Sequence, residues 1–395
     1  FSNNSSLSLS LYKGNDHVSI DDFTINYGNT TASLIWNYLY SSKFRLSSTI
    51  SYSHYGYNFN SDLEIDKIKW ESSLASITGI VDAIFSIDKK NTFSLGTSFS
   101  RYFFHPCKVG SPQIYNYEIN ISKGEEAIFY LSNEQKINNQ LIINYGVRGN
   151  IFHNQKVYAT LDPRISGVVK LMDNISLKAS YAHNSQFIQW ASRSTSGSPL
   201  DVWFPSSKKI KPRTMDVFSV GYYQEIGHNL PEFSAEIYYK NVNNTIDFGD
   251  NVNLLFNDNI ESAVYSGKGR SYGIELEVKQ KINQFNFSIN YSLSRSEYMI
   301  QGINEAKKYL SPYDRPHSLH LSLRYAPSPQ CEFTAMWAFA SGKLATFPYG
   351  IYETNGVLIP VYSGRNAYRY PDYHRLDISF SYRPSKTKKN NGKRS

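Results

Sequence analysis

Residue types that often do chemistry are present in this chain, but their spacing forms no recognisable catalytic or metal-binding motif. Nine histidines are scattered through the 395 residues, and none belongs to a His-Glu-x-x-His site or a similar ligand pair. The two cysteines, Cys107 and Cys331, lack CxxC spacing and a neighbouring histidine cluster, so a zinc site is not supported. The sequence therefore predicts neither an enzyme nor a bound metal or cofactor.

Two further patterns resemble ligand-binding motifs but lack their context. Gly267-Lys-Gly269 is too short for a phosphate-binding loop and has no strand–loop–helix setting, so we expect it to lead into a strand. Asp162, Asp247, Asp250 and Asp258 do not have the ordered spacing of a calcium-binding EF-hand loop. We therefore expect these residues to have structural roles.

The composition favours strands and polar turns over helices. Aromatic residues make up 15% of the chain, mostly Tyr (32) and Phe (23), and aromatic side chains suit the pleated surface of a sheet. No run of about 18 apolar residues occurs, so no transmembrane helix is predicted. Much of the net charge of +8 lies in residues 386–394. Because no aromatic platform accompanies this segment, we interpret it as a solvated tail and not as a nucleic-acid site.

The strongest pattern is an alternation of apolar and polar residues with a period of two. Between Phe285 and Leu293 every odd position is apolar and every even position is small or polar. Such a period gives a strand one apolar face and one polar face. Many of these runs extend for about 9–14 residues, enough to cross a bilayer at a tilt, whereas soluble strands average about 5–6. The charged residues Glu236, Glu275 and Glu277 fall on the polar face.

The connections between the strands alternate in length. Short turns are predicted at 41–43, 89–90, 138, 173–174, 228–231, 283–284 and 327–329, and longer segments at 57–73, 105–124, 188–212, 246–269, 298–316 and 341–373. Short turns on one rim and long loops on the other are typical of outer-membrane barrels. The sequence therefore predicts an all-β fold, a transmembrane antiparallel β-barrel with about 16 visible strands from Ser5 to Arg383.

Several short segments, found in order along nearly the whole chain, also resemble a known family. They are 27–37, 161–164, 177–182, 199–206, 210–212, 269–277, 313–317 and 373–377. Examples are Tyr313-Asp-Arg-Pro-His317 and Tyr373-His-Arg-Leu-Asp377. These segments resemble the barrel of TonB-dependent outer-membrane receptors of the type found in Bacteroides-like bacteria.

The resemblance implies a barrel of about 22 strands around an N-terminal plug domain. It also implies a location in the outer membrane and nutrient import driven through TonB. The chain departs from this pattern because it shows no plug before Phe1 and stops about two strands before closure. We therefore expect residues 1–395 to be one barrel domain of a larger receptor. The implied partners are outer-membrane lipid, the plug and TonB complex through the N-terminal region, the nutrient and a surface lipoprotein, with no nucleic acid.

The candidate ligand contacts are residues of the long loops, most of them aromatic. Aromatic faces can stack on sugar rings, chelate ring systems or peptides. Aromatic side chains at strand ends can also form a girdle at the lipid headgroups, and this alternative stays open. The candidates are Trp190, Asp201, Trp203, Phe204, Tyr349, Tyr352, Tyr362 and Tyr368.

Three functions compete on the sequence alone. The first is active uptake of a scarce nutrient such as an iron chelate, a vitamin, a glycan or a peptide, as the receptor resemblance implies. The second is a passive outer-membrane porin, because a porin of about 16 strands has the visible size. The third is a soluble all-β adhesin or enzyme, whose strands would also alternate but with the apolar face turned inward.

Overall fold

A computed structural model of the chain describes residues 4–62, 67–110, 117–118, 122–192, 201–225, 231–250, 259–354, 357–362 and 364–384. Sixteen long strands dominate it. They are β1 Ser5–Ile20, β2 Phe23–Ser41, β3 Phe44–Asp62, β4 Lys67–Ser86, β5 Asn91–Gly110, β6 Ser122–Lys136, β7 Leu141–His153, β8 Val157–Met172, β9 Ile175–Gln186, β10 Arg213–Glu225, β11 Glu232–Phe248, β12 Val264–Ile282, β13 Phe285–Ile300, β14 His317–Ser328, β15 Cys331–Ala340 and β16 Tyr373–Tyr382. We call these strands the wall.

The wall is a single antiparallel meander in which every strand pairs with the next strand along the chain. Leu9 of β1 lies opposite Leu34 of β2, and Val220 of β10 lies opposite Ile237 of β11. The predicted fold class and number of strands are therefore confirmed.

The two faces of the wall differ as the alternation predicts. One face carries apolar side chains that no other described element covers, with Leu161, Val220 and Ile237 at least 60% exposed. In a bilayer this face contacts lipid, where a charged residue at mid-depth would cost about 2–4 kcal/mol. The other face is polar, and the hydroxyl oxygens of Ser180 and Ser219 lie 2.9 Å apart on it. We call these two surfaces the lipid face and the inner face.

Most of the predicted short turns occur where they were expected. The chain reverses at 42–43, 87–90, 137–140, 173–174, 283–284 and 329–330, whereas most of the predicted turn at 228–231 lies outside the described residues. These turns define one rim of the wall, and the longer connections define the opposite, outer rim.

Several predicted outer loops are shorter than expected because the strands continue beyond the apolar region. The segment 57–73 was predicted as a loop, yet β3 extends to Asp62 and β4 begins at Lys67. Likewise β1 and β2 meet at a tight turn in which Asp21 has a φ of 48°. The residues concerned still alternate, but their apolar members, such as Tyr57 and Trp70, lie on the inner face, so the ladder hydrogen bonds persist without a lipid-facing apolar stripe.

Two of the outer loops, 187–212 and 249–263, contribute with the wall to a small hydrophobic core on the inner face. Phe59 packs against this core. We call it the mouth core, and its buried members are Tyr57, Trp70, Ala191, Val202, Phe204, Ile210, Ile246, Phe248, Ile260, Ala263 and Val264. Because β3, β4, β11, β12 and two loops contribute to it, the mouth core fixes these loops relative to the wall.

Other structural features are minor. The helices in the described part of the chain are single 3-10 turns at Ile260–Ala263 and Asn304–Ala306, and neither is long enough to cross a membrane. Cys331 is a free cysteine at the turn end of β15. Cys107 lies near the loop end of β5, so the two cysteines belong to opposite rims.

Candidate ligand-binding mouth

The clearest candidate surface is a two-stranded hairpin in the loop between β9 and β10. Its strands, Ile188–Ser192 and Asp201–Pro205, place Trp190 directly opposite Trp203. The two indole rings are stacked with their centroids 6.1 Å apart, and Tyr313 from the loop between β13 and β14 lies 5.5 Å from Trp190. Trp190 keeps 38% of its surface exposed. Two sequence candidates are thus brought together as one aromatic patch.

The opposite face of this hairpin is buried in the mouth core. Gln189 pairs with Phe204, and Ala191 pairs with Val202, and all four are nearly inaccessible to solvent. Phe204 packs edge-on against Phe248, with centroids 6.0 Å apart. Successive residues of a strand point to opposite faces, so burial of this face turns the tryptophans outward. Phe204 was a candidate ligand contact, and its 3% exposure favours a packing role.

The other tyrosine candidates lie in the long loop between β15 and β16. A second hairpin, Pro348–Thr354 with Val357–Tyr362, holds Tyr349 and Tyr352, both more than half exposed. Tyr362 pairs with Pro348 in the same hairpin.

Two candidates lie apart from this second hairpin. Tyr368 packs against Phe347 at a centroid distance of 5.7 Å. The backbone of Asp201 pairs with Ser192, but its side chain lies outside the described residues. Ligand contact by any of the candidates stays a prediction.

A buried ion pair that sequence reasoning missed joins two outer loops to the end of β11. The guanidinium of Arg365 donates from Nη2 to Oδ1 of Asp247 over 2.7 Å, and both side chains are at most 6% exposed. The hydroxyl of Tyr309 donates to Oδ2 of the same carboxylate over 3.0 Å. Burial and the neighbouring Asp247 raise the pKa of Tyr309, which keeps its hydroxyl protonated as a donor. The three partners lie up to 118 residues apart in the chain.

A second arginine fixes the base of the same loops. Arg369 donates from Nη2 to Oδ2 of Asp314 over 2.7 Å and from Nη1 to the carbonyl of Gly342 over 2.8 Å. Asp314 also accepts a hydrogen bond from the backbone N–H of Ser296 on β13 over 2.7 Å. The loops 301–316 and 341–372 are therefore connected to each other and to the wall.

A polar network on the inner face lies below the aromatic patch. Asp162 on β8 accepts hydrogen bonds from Arg148, from Asn150 and from both the backbone N–H and the hydroxyl of Ser185. The nitrogen–oxygen distance from Arg148 Nη2 is 2.7 Å. Asp162 and Asp247, two of the aspartates weighed for calcium, thus each bind an arginine.

The chemistry of the mouth is that of binding. Within the described residues, no group of three histidine, cysteine or acidic side chains is placed to hold a metal ion. The exposed indole faces of Trp190 and Trp203 are large, rigid and apolar, and they stand on a hairpin whose other face is fixed in a core. Such a surface can stack on a flat ring of a ligand.

The family model described as TonB dependent receptor-like, beta-barrel matches residues 1–391. The chain belongs to this family. The match covers nearly the whole wall and all of the outer loops, so the resemblance drawn from the short sequence segments is confirmed. No curated protein sequence matches the chain.

Solved structures of other barrels have the same fold at low sequence identity. The copper transporter OprC has a TM-score of 0.68 and 11% identity, and the match covers 97% of this chain and 62% of that chain. The ferric-catecholate import receptor Fiu from E. coli K12 has a TM-score of 0.63 and 12% identity, with 92% and 59% covered. The ferric yersiniabactin uptake receptor FyuA from Yersinia pestis has a TM-score of 0.62 and 13% identity, with 96% and 60% covered. The chain thus spans about three fifths of the length of these proteins.

Proposed function

We propose that this chain forms the barrel of an outer-membrane receptor that imports a scarce nutrient with energy supplied through TonB. Family membership over residues 1–391 supports the transport class and the location in the outer membrane. The plug domain and the TonB complex are the partners that this mechanism requires. The proposal is one of transport and not of catalysis.

The observation that carries the proposal is the way the mouth is built. Arg365 and Tyr309 join two outer loops to Asp247 at the end of β11, and the hairpin that carries Trp190 and Trp203 is packed onto the inner face through the mouth core. A passive pore has no need of a rigid, aromatic surface at its entrance, whereas a receptor must hold its ligand before transport begins. Rigid positioning of the indole pair lowers the entropic cost of binding a ligand there.

The best-supported ligand class is a flat, ring-bearing metal chelate. Trp190 and Trp203 offer stacking faces to such rings. The related barrels named above are described as receptors for a ferric catecholate and for ferric yersiniabactin, which is consistent with this class. Vitamins, glycans and peptides are the alternatives that the sequence left open.

The proposal is tested by uptake of a radiolabelled ferric tris-catecholate complex into cells that express the full-length protein. We expect uptake that stops when the proton gradient of the inner membrane is dissipated. Replacing both indoles, with Trp190→Ala and Trp203→Ala, should weaken binding about two- to tenfold, because one stacking contact contributes about 0.5–1.5 kcal/mol.

Trp36→Ala, at an equally exposed tryptophan on the lipid face of β2, is the matched control and should retain binding. Normal binding by the double tryptophan variant would contradict the assignment of the site. Uptake that continues without the proton gradient, together with free ion conductance in planar bilayers, would favour the passive porin instead.

A further inference from the structure

Histidines recur at one level of the lipid face. Seven of the eight histidines in the described residues point to this face at the outer end of a wall strand, as the alternation with exposed apolar neighbours shows. The eighth, His320, lines the inner face opposite Asn290. The seven are His17, His54, His105, His153, His183, His317 and His374, and we call them the histidine collar.

The position of the collar relative to the apolar surface is consistent from strand to strand. In six strands the histidine occupies the lipid-facing position next to the last apolar one. The six pairs are Tyr52 with His54, Phe103 with His105, Ile151 with His153, Tyr181 with His183, Leu319 with His317, and Leu376 with His374. His17 lies further out on β1, beyond Leu11. The collar therefore marks the level at which the hydrocarbon of the outer leaflet ends and its headgroups begin.

Part of the collar lines an open groove on the lipid face of β1–β5, just beyond the apolar region. The groove has a volume of about 760 Å³, and His17, His54 and His105 contribute to its lining. Gly28 and Gly56 leave space at the base of the groove, because they carry no side chain. A Cβ at Gly56 would lie 3.2 Å from the ring of His54. A groove of this size with polar walls fits a sugar-phosphate headgroup better than an acyl chain.

The charged groups around the collar are of both signs, with a cationic excess on one side. In the groove Lys13, Asp16 and Glu71 face the histidines, and Glu71 is paired with Lys69. On β13 and β12, Arg295 and Arg270 share the single carboxylate of Glu297, at 2.6 Å each. These arginines supply a fixed positive charge at the same level as the collar.

The remaining collar histidines face individual partners. His153 lies 4.0 Å from Glu125, which also pairs with Arg101, and His183 lies 2.8 Å from Asp216. Nδ1 of His317 lies 2.9 Å from the hydroxyl of Tyr291. His374 stacks on the ring of Trp337. In the groove, Nδ1 of His17 lies 2.6 Å from the amide oxygen of Asn26, which is a neutral partner. Among the described contacts the groove histidines thus form no ion pair with a carboxylate, which leaves them able to bind an external anion.

We propose that the groove, together with the rest of the collar, binds the phosphate groups of an outer-leaflet glycolipid. The inference rests on the proposed location in the outer membrane but not on the nutrient that is imported. The acyl chains would lie against the apolar lipid face, which is continuous with the groove, and the phosphates would lie among the imidazoles and Lys13. Because a protonated imidazole is a cation, binding should strengthen as the pH falls.

The test measures binding of bisphosphorylated lipid A to the purified full-length protein in detergent by native mass spectrometry. We expect the wild-type protein to bind about tenfold more tightly at about pH 5.5 than at about pH 7.5, since added positive charge on the imidazoles attracts the phosphates. The triple variant His17→Gln, His54→Gln, His105→Gln should lose most of this difference. The matched control His320→Gln, on the inner face, should keep it.

Two further arms keep the proposal falsifiable if the glutamine variant folds poorly. The triple arginine variant at the same positions should bind tightly at both pH values. Dephosphorylated lipid A with the same acyl chains should bind weakly at both. Equal binding of the phosphorylated and dephosphorylated lipids, or an unchanged pH dependence in a folded glutamine variant, would overturn the proposal and leave the collar as an interfacial anchor.

Discussion

The wall and the mouth of this protein share the same strands but are stabilised by different kinds of interaction. In the wall each strand pairs with its neighbour in sequence, and the apolar side chains face outward towards lipid. In the mouth the apolar side chains face inward, and the polar contacts join loops that are distant in sequence, as in the pairing of Arg365 with Asp247. The lipid face requires only that its side chains be apolar, whereas the mouth requires specific pairs of side chains that fit one another.

This difference matters for function because the two regions tolerate change differently. The lipid face accepts one apolar residue in place of another, since lipid chains adapt to its shape. The mouth core resembles the interior of a soluble domain, where adding or removing one methylene group changes the stability of the fold. We therefore expect specificity for a ligand to depend on the mouth, and four substitutions test the contrast between the regions.

The largest effect is expected from the buried ion pair of the mouth. Arg365→Met leaves the Asp247 carboxylate buried without its cation, and the loss of one partner from such a pair costs about 3–5 kcal/mol. Hydrogen exchange should show faster exchange in 301–316 and 341–372 but unchanged protection in the wall. The double variant with Asp247→Asn should recover part of the loss. If hydrogen exchange became faster to the same extent in the wall and in the mouth, the two regions would not be stabilised independently.

A charge on the lipid face tests the wall directly. Val220→Arg places a cation on the surface that we assign to the hydrocarbon, at a cost of about 2–4 kcal/mol. The amount of folded protein in the membrane, measured by its heat-dependent shift in gel mobility, should fall. The neighbouring substitution Ser219→Arg points to the inner face and should be tolerated. Similar yields for the two variants would contradict the assignment of the faces.

A smaller effect is expected in the polar network of the inner face. Asp162→Asn removes the charge that Arg148 binds and leaves its guanidinium without a carboxylate partner, which should cost about 1–3 kcal/mol. The thermal unfolding midpoint should fall, while membrane insertion stays normal. Asn150→Ala, which removes only one neutral donor to the same carboxylate, should lower the midpoint less.

The smallest effect concerns a single hydrogen bond in the mouth core. The indole N–H of Trp70 donates to the hydroxyl of Tyr57 over 3.2 Å in a buried setting. Tyr57→Phe removes this acceptor while keeping the ring, so we expect a loss of about 0.5–1.5 kcal/mol. Hydrogen exchange confined to the mouth should detect it. A change in the gel mobility assay for the wall would instead show that the mouth core supports barrel folding.

The wall could be predicted in detail and the mouth only in outline. Strand number, the faces of individual strands and most short turns followed from the alternation, because period two is a local property. The loop 57–73 was assigned wrongly because its apolar residues, such as Tyr57 and Trp70, lie on the inner face and leave no apolar lipid-facing stripe, although the ladder continues to Asp62. The histidine collar could have been found in the sequence, because in six strands a histidine occupies the lipid-facing position next to the last apolar residue. A search for the spacing of metal ligands does not detect this pattern.

The sequence by itself determined that this chain is a β-barrel wall with a lipid face, and it indicated the receptor family that the family model confirms. The tertiary structure decided which loop residues are buried and which are exposed. It placed Phe204 in the core, turned Trp190 and Trp203 outward on the same hairpin, and joined Asp247 to Arg365. The physical reason is that strand faces depend on residues two positions apart, whereas loop burial depends on partners that only the folded chain brings together.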